Sequence, residues 1–186
     1  MQKNWTAYLE LAARYYVLVV LNLYGWGKIM GGQFYRPGHF PDKVAQIPLA
    51  EASGFDLTWA FFGHSPFYIW FIGLSQVIGA WLLVAQKTKL LGVAILIPVL
   101  LNIVVVDSAF QISAGALSVA AFCLLLLLLI LLLNQSTLRA LFEILWQPAA
   151  SEKQTVKVQI TKVFIVLGLI ALLFGLQSFV VLLIGE

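Results

Sequence analysis

The sequence predicts an all-α integral membrane protein with five spanning helices. Three observations carry that fold class. Apolar runs near residues 12–31, 66–84, 90–106, 112–133 and 162–184 approach or exceed the length needed to cross a hydrocarbon core of about 30 Å. Only 10% of the 186 residues are charged, where a soluble domain carries about 25%. Finally, the basic residues alternate between connecting segments. With the N-terminus inside, Lys3, Arg14, Lys87, Lys89, Arg139, Lys153, Lys157 and Lys162 lie inside, and Lys28, Arg36 and Lys43 outside. That asymmetry fits an N-in, C-out chain with five spans.

The first run, Ala12 to Gly31, is polar for a membrane helix, because it carries Arg14, Asn22 and Lys28. At roughly 100° per residue, Arg14, Leu18, Leu21, Gly25 and Lys28 share one stripe, with Asn22 at its flank. Ionisable groups in a spanning helix usually face the protein interior or a wet cavity. The competing reading is that Arg14 and Lys28, near the two ends, snorkel to the headgroups. Glu10 precedes Arg14 by four residues and is a second way to meet its charge. Trp5 and Tyr8 suit a membrane interface. The run is longer than a signal-peptide core and lacks a small-x-small cleavage site, so it reads as a retained span.

Residues 32–65 form a long connection with three prolines, four glycines and both histidines, His39 and His64. Trp59, Phe61 and Phe62 suggest a short helix over Asp56 to Phe62, lying at the membrane surface. The segment is either a cap over the bundle or a plain interfacial loop; long connections are often functional. Ser65-Pro66 then opens the second span, Ser as N-cap and Pro at the first helical position. In that span Gly73, Gln76 and Ala80 share a stripe with Gly79 beside it. Small residues around one polar side chain favour close helix approach, and Gln76 reads as packing glue between helices.

The third span, Leu90 to Val106, contains Pro98 and, one turn later, Asn102; Asp107 ends it. Proline frees a backbone carbonyl that neighbouring groups must satisfy. The fourth span begins near Ile112, with Gln111, Gly115 and Ser118 as a small polar stripe. Its second half, Leu124 to Leu133, has no polar face and reads as lipid-facing filler. Residues 135–161 comprise an amphipathic interface helix, stopped by Pro148, and a polar linker with Lys153 and Lys157. In the last span, within residues 162–186, Gly168, Ala171, Gly175 and Ser178 form a small-residue packing seam for the bundle, a partner or a second copy.

Two motifs together resemble the DoxX-like family. The first is Arg14-x10-Gly25-x2-Lys28 in the first membrane helix; the second is Gly79 followed by Thr88 and Lys89 after the second span. Gln76 stands where relatives carry an acidic residue, and Ala85 where Gly is usual. The resemblance covers roughly residues 8–133. It implies a four-helix membrane domain over residues 1–134 in a bacterial inner membrane, to which this chain adds a fifth helix. It also implies two function classes. Some relatives are membrane subunits of quinone-linked oxidoreductase systems; others look like assembly factors, receptors or partner subunits without chemistry.

The residues themselves exclude several classes. Cys123 is the sole cysteine, so no internal disulfide, Cys-x-x-Cys pair or thiolate metal site is available. No phosphate-binding Gly-rich loop is present, and two histidines in one loop do not make a haem or metal site. The net charge of +3 sits in short loops and reports topology, not nucleic-acid binding. Helix depth places Lys28, His64, Asp107 and Gln111 near one mouth, with Asn22 and Asn102 roughly 8–9 Å deeper. The expected site is an outward-facing polar funnel over Asn22, Gln76 and Asn102, with Lys28 and Asp107 paired at its mouth. The alternative is a set of unrelated polar helix contacts. Arg14 completes the candidate ligand-binding residues; no catalytic residue is assigned. The absence of a self-contained catalytic motif favours a membrane partner or assembly subunit in contact with lipids and with no cofactor; the alternative is a quinone-binding subunit of an oxidoreductase system.

Overall fold

The computed structural model describes residues 2–146 and 156–184. Pro148 and the linker lysine Lys153 lie outside them. All the regular structure among the described residues is helical: α1 (Gln2–Ile29), α2 (Asp42–Ala45), α3 (Gly54–His64), α4 (Pro66–Leu82), α5 (Lys89–Ala109), α6 (Ala114–Leu133), α7 (Gln135–Leu145) and α8 (Val156–Ile184). The chain divides into two compact units, residues 1–140 and 141–186.

By length and composition α5, α6 and α8 can cross a membrane, and α3 with α4 forms a fourth candidate bent by 95°. The sequence predicts five spans, one per apolar run. α1 is long enough at 28 residues, but Arg14, Asn22, Lys28 and its tyrosines dilute its apolar character. α4 alone has 17 residues, because the chain turns sharply at Ser65-Pro66. There Ser65 Oγ accepts from Tyr68 N–H at 3.3 Å and caps α4, so α3 and α4 are separate helices on one pivot.

In the first unit α1, α4, α5 and α6 pack as a closed ring, each touching the next and α6 returning to α1. Buried residues follow the 3–4 spacing of helix faces: Val17 and Leu21 on α1, Val93, Leu96 and Leu100 on α5, Cys123, Leu127 and Ile130 on α6. The leucine-rich half of α6 is therefore not filler throughout. Leu127 and Ile130 are fully buried, while Leu125 and Leu132 face outward.

Glycines set the two tightest crossings. A Cβ on Gly25 would stand 2.9 Å from the Gly73 carbonyl oxygen, and one on Gly92 would stand 2.6 Å from that of Gly79. Backbones thus meet directly at α1–α4 and α4–α5, the close approach that small residues allow in membrane bundles.

At the end of the ring where α4 stops, a polar knot joins all four helices. Lys89 Nζ reaches Glu10 Oε1 at 2.6 Å, and Asn134 Nδ2 donates to Glu10 Oε2 at 3.2 Å. Arg14 lies 3.6 Å from Glu10 and donates to Leu83 O, Val84 O and Gln86 Oε1. A helix end leaves its last carbonyls without intrahelical partners, and Arg14 supplies them here. Of the two readings open for Arg14, the interior one describes its surroundings: it is 5% exposed, with its donors committed.

Candidate functional site

A pocket lies at the opposite end of the ring, between the four helices and the cap formed by residues 33–62. It offers about 80 Å³ to the centres of water-sized molecules. Since one water needs about 10–15 Å³ on that measure, the space suits a handful of waters or one small ring. Leu21 and Tyr24 of α1, Ile72 of α4, Leu100 and Ile103 of α5, and Ala120 and Cys123 of α6 supply apolar walls. Lys28, Gln33, Thr58, Gln76, Asn102 and Asp107 supply polar groups.

Local sequence explains how the cap is held. Ser53 Oγ accepts from Asp56 N–H at 3.1 Å and starts α3. Gly63 sits against the Tyr35 backbone, where any Cβ would run into the Tyr35 carbonyl oxygen. Tyr35 N–H donates to Trp59 O at 3.1 Å and its hydroxyl donates to Asp56 at 3.0 Å. Burial, reinforced by that bond to the Asp56 carboxylate, raises the Tyr35 hydroxyl above its ordinary pKa of 10.0. Arg36 donates to Lys28 O at 3.0 Å and Ile29 O at 2.7 Å, so it caps α1 and ties the loop to it. Phe34 lies 5.3 Å from Trp59 and 5.7 Å from Phe62, ring centroid to centroid, making an aromatic ceiling. Of the two readings of residues 32–65, the cap is the one that describes these contacts.

Three polar groups on the pocket wall are deeply buried. Lys28 is 5% exposed, with its ammonium 5.5 Å from the Tyr24 ring centroid, within cation–π range. Gln76 is 1% and Thr58 5% exposed, and Gln76 Oε1 and Thr58 Oγ1 have no hydrogen-bond partner. The bond expected of Gln76 as glue between helices is not made through that oxygen. Asp107 lines the same space, but no ion pair within 4.0 Å joins it to Lys28. The direct contact between the two is therefore not made.

Half of the sequence-predicted site is thus assembled: Lys28, Gln76, Asn102 and Asp107 share one pocket. Arg14 belongs to the knot at the other end. Asn22 turns to α4, donating to Leu18 O at 2.8 Å and accepting from Trp81 Nε1 at 3.1 Å. His64 is exposed at the α3–α4 bend and is not on the pocket wall. Gln111 is exposed in a left-handed turn, φ 52°, and is not on the pocket wall. Sequence reasoning missed Thr58, Trp59, Gln33 and Tyr24. Thr58 and Phe62 are one helical turn apart, so the inner face of α3 was readable once α3 was treated as a helix with two faces.

The chemistry on offer is binding: a cation, a carboxylate, a hydroxyl and an amide oxygen between aromatic walls. Among the described residues no group of three His, Cys, Asp or Glu is placed to hold a metal. No family model matches the chain. It is 35% identical over 106 residues to the uncharacterized protein YwoB of Bacillus subtilis (strain 168), a match that covers 56% of this chain. The chain spans 65% of that relative, just under two thirds of its length. No solved structure matches.

Proposed function

We propose that this protein is a DoxX-like membrane subunit that holds one small ligand under the α3 cap. The carrying observation is the pair of buried, unpartnered oxygens, Gln76 Oε1 and Thr58 Oγ1, on the wall that also bears Lys28. An unsatisfied buried polar group costs about 1–3 kcal/mol, which a bound ligand recovers. The aromatic ceiling and small volume suit a flat ring bearing oxygen functions, and a quinone head meets that description. α1, α4, α5, α6 and α8 are the five spans of this reading. The N-terminus lies inside a bacterial inner membrane, and the pocket end and C-terminus face outward, in line with the basic-residue asymmetry.

The test is purification in mild detergent followed by organic-solvent extraction. A stoichiometric ring compound that is lost in Gln76→Leu, with the variant still folded, supports the reading. No small molecule together with a co-purifying protein supports the second reading, a partner or assembly subunit without a ligand. α8 favours that one: it belongs to a unit of its own and carries the seam Gly168, Ala171, Gly175 and Ser178. Removing residues 162–186 then abolishes co-purification and leaves the four-helix ring folded.

A further inference from the structure

Asn102 occupies a position that packing alone does not account for. It sits seven residues before the end of α5, roughly 10 Å inside the helix at 1.5 Å per residue. It is exposed at that depth, and the same residue lines the pocket. Its amide has no hydrogen-bond partner among the described residues, a costly state for a polar group at that depth in a spanning helix. Ile95 lies two turns away on the same stripe of α5, and a Cβ on Gly79 of α4 would meet Ile95 at 3.4 Å. Asn102 therefore stands along the α4–α5 seam. A shallow apolar groove runs along that seam on the outside, lined by Phe67, Phe71, Leu74, Ile78 and Ile95. On the other side of the seam are the unpaired oxygens of the pocket. The cap, by contrast, is fastened by Arg36, Tyr35 and Gly63.

We infer that the pocket is loaded from the bilayer through the α4–α5 seam at Asn102, by an amphipathic molecule whose polar head enters the pocket while its apolar chain lies in the groove. This rests on the reading of the pocket as a ligand site, and it names the ligand class: membrane-dissolved, single-headed, with an apolar tail. Asn102 is the polar step that the head meets as it leaves the lipid.

Cys123 makes the route measurable, since it lines the pocket and is the sole cysteine of the chain. The full chain is placed in phosphatidylcholine vesicles and treated with either uncharged, lipid-soluble N-phenylmaleimide or a charged, water-confined thiosulfonate; mass spectrometry reads the adduct. Seam entry predicts modification by the maleimide and not by the thiosulfonate. Asn102→Trp, which fills a close-packed opening, slows the maleimide roughly tenfold. Leu101→Trp, about 100° around the same helix, exposed and off the pocket wall, leaves the rate unchanged. If Asn102→Trp does not fold, Leu74→Trp plugs the seam from α4. Equal reaction with the charged reagent, no reaction with either, or no effect of a folded plug each overturns the inference. The readout needs no bound ligand, so an empty pocket in the extraction experiment leaves this test standing.

Discussion

Gly25 and Gly73 meet backbone to backbone. A Cβ added to Gly25 would lie 2.9 Å from the Gly73 carbonyl oxygen, and one added to Gly73 would lie 3.0 Å from that of Gly25. Neither oxygen belongs to a flexible side chain, so the helices must separate to admit even a methyl. Gly27, two residues on, has nothing within 4 Å of its would-be Cβ.

Gly25→Ala is therefore expected to destabilise the bundle by about 1–3 kcal/mol, the usual cost of overpacking. Gly27→Ala should be neutral or stabilise by up to about 1 kcal/mol through better helix propensity. Thermal unfolding of the two variants in one detergent checks the contrast. Equal midpoints would remove the close crossing.

Breaking the knot has a larger effect. Glu10 and Lys89 are both mostly buried, with side chains 13% and 8% exposed. Lys89→Met leaves the Glu10 carboxylate with Arg14 and Asn134 only, and Glu10→Gln leaves two cations facing an amide. Glu10→Gln, which strands Lys89, is expected to cost about 3–5 kcal/mol, the range for an orphaned buried charge, and Lys89→Met less, because Arg14 and Asn134 stay with Glu10. The double variant should cost less than the sum, because neither partner is left stranded. Strict additivity in denaturation experiments would show that the pair is not coupled.

The cap should carry a pH signature. In the folded chain the Tyr35 hydroxyl is held neutral above its ordinary pKa of 10.0 by burial and by Asp56. A raised folded value means a stabilising contribution that is fully present below pH 10 and is lost as pH rises through the folded value. Tyr35→Phe removes one late-titrating phenol from the alkaline absorbance titration and flattens the loss of cap stability at high pH. An unchanged titration curve in that variant would contradict the assignment.

Lys28 and Asp107 should be coupled, though weakly. They share a pocket without a direct ion pair. A double-mutant cycle of Lys28→Met and Asp107→Asn is expected to give about 0.5–1 kcal/mol, the low end of the range for coupled neighbours. The reversed pair, Lys28→Asp with Asp107→Lys, should restore part of the loss seen in either single change. Zero coupling in thermal unfolding would mean that the two charges are screened from one another.

Much of the helix content was legible in the sequence because apolar runs and caps are local signals. The Ser65-Pro66 start of α4 and the crossing glycines were visible as residue types. Lys28, Gln76, Asn102 and Asp107 were assigned to one site because depth along a helix follows from counting. Direction around the helix is harder, and there the reading failed. Asn22 lies only slightly off the Lys28 stripe, yet that angle turns it to Trp81 of α4. His64 was misplaced because a 95° bend follows it, and bend angles are not written in composition. Arg14 answers to carbonyls that exist only because α4 ends early, a fact set by the turn after Leu82. Thr58 was hidden in a stretch whose aromatics drew it toward the membrane surface rather than the pocket.

The knot around Glu10 has a consequence for how the chain is made. Glu10 leaves the ribosome early, but Asn134, which completes its coordination, follows 124 residues later. At about 5–20 residues per second the interval is on the order of ten seconds. Throughout it the Glu10 carboxylate lacks its final partner, and Lys89 too is absent for most of the time. Arg14, four residues on, is in place from the start, but the knot that joins the four helices is complete only when Asn134 arrives. Closure of the ring is thus a late event, timed by the end of α6.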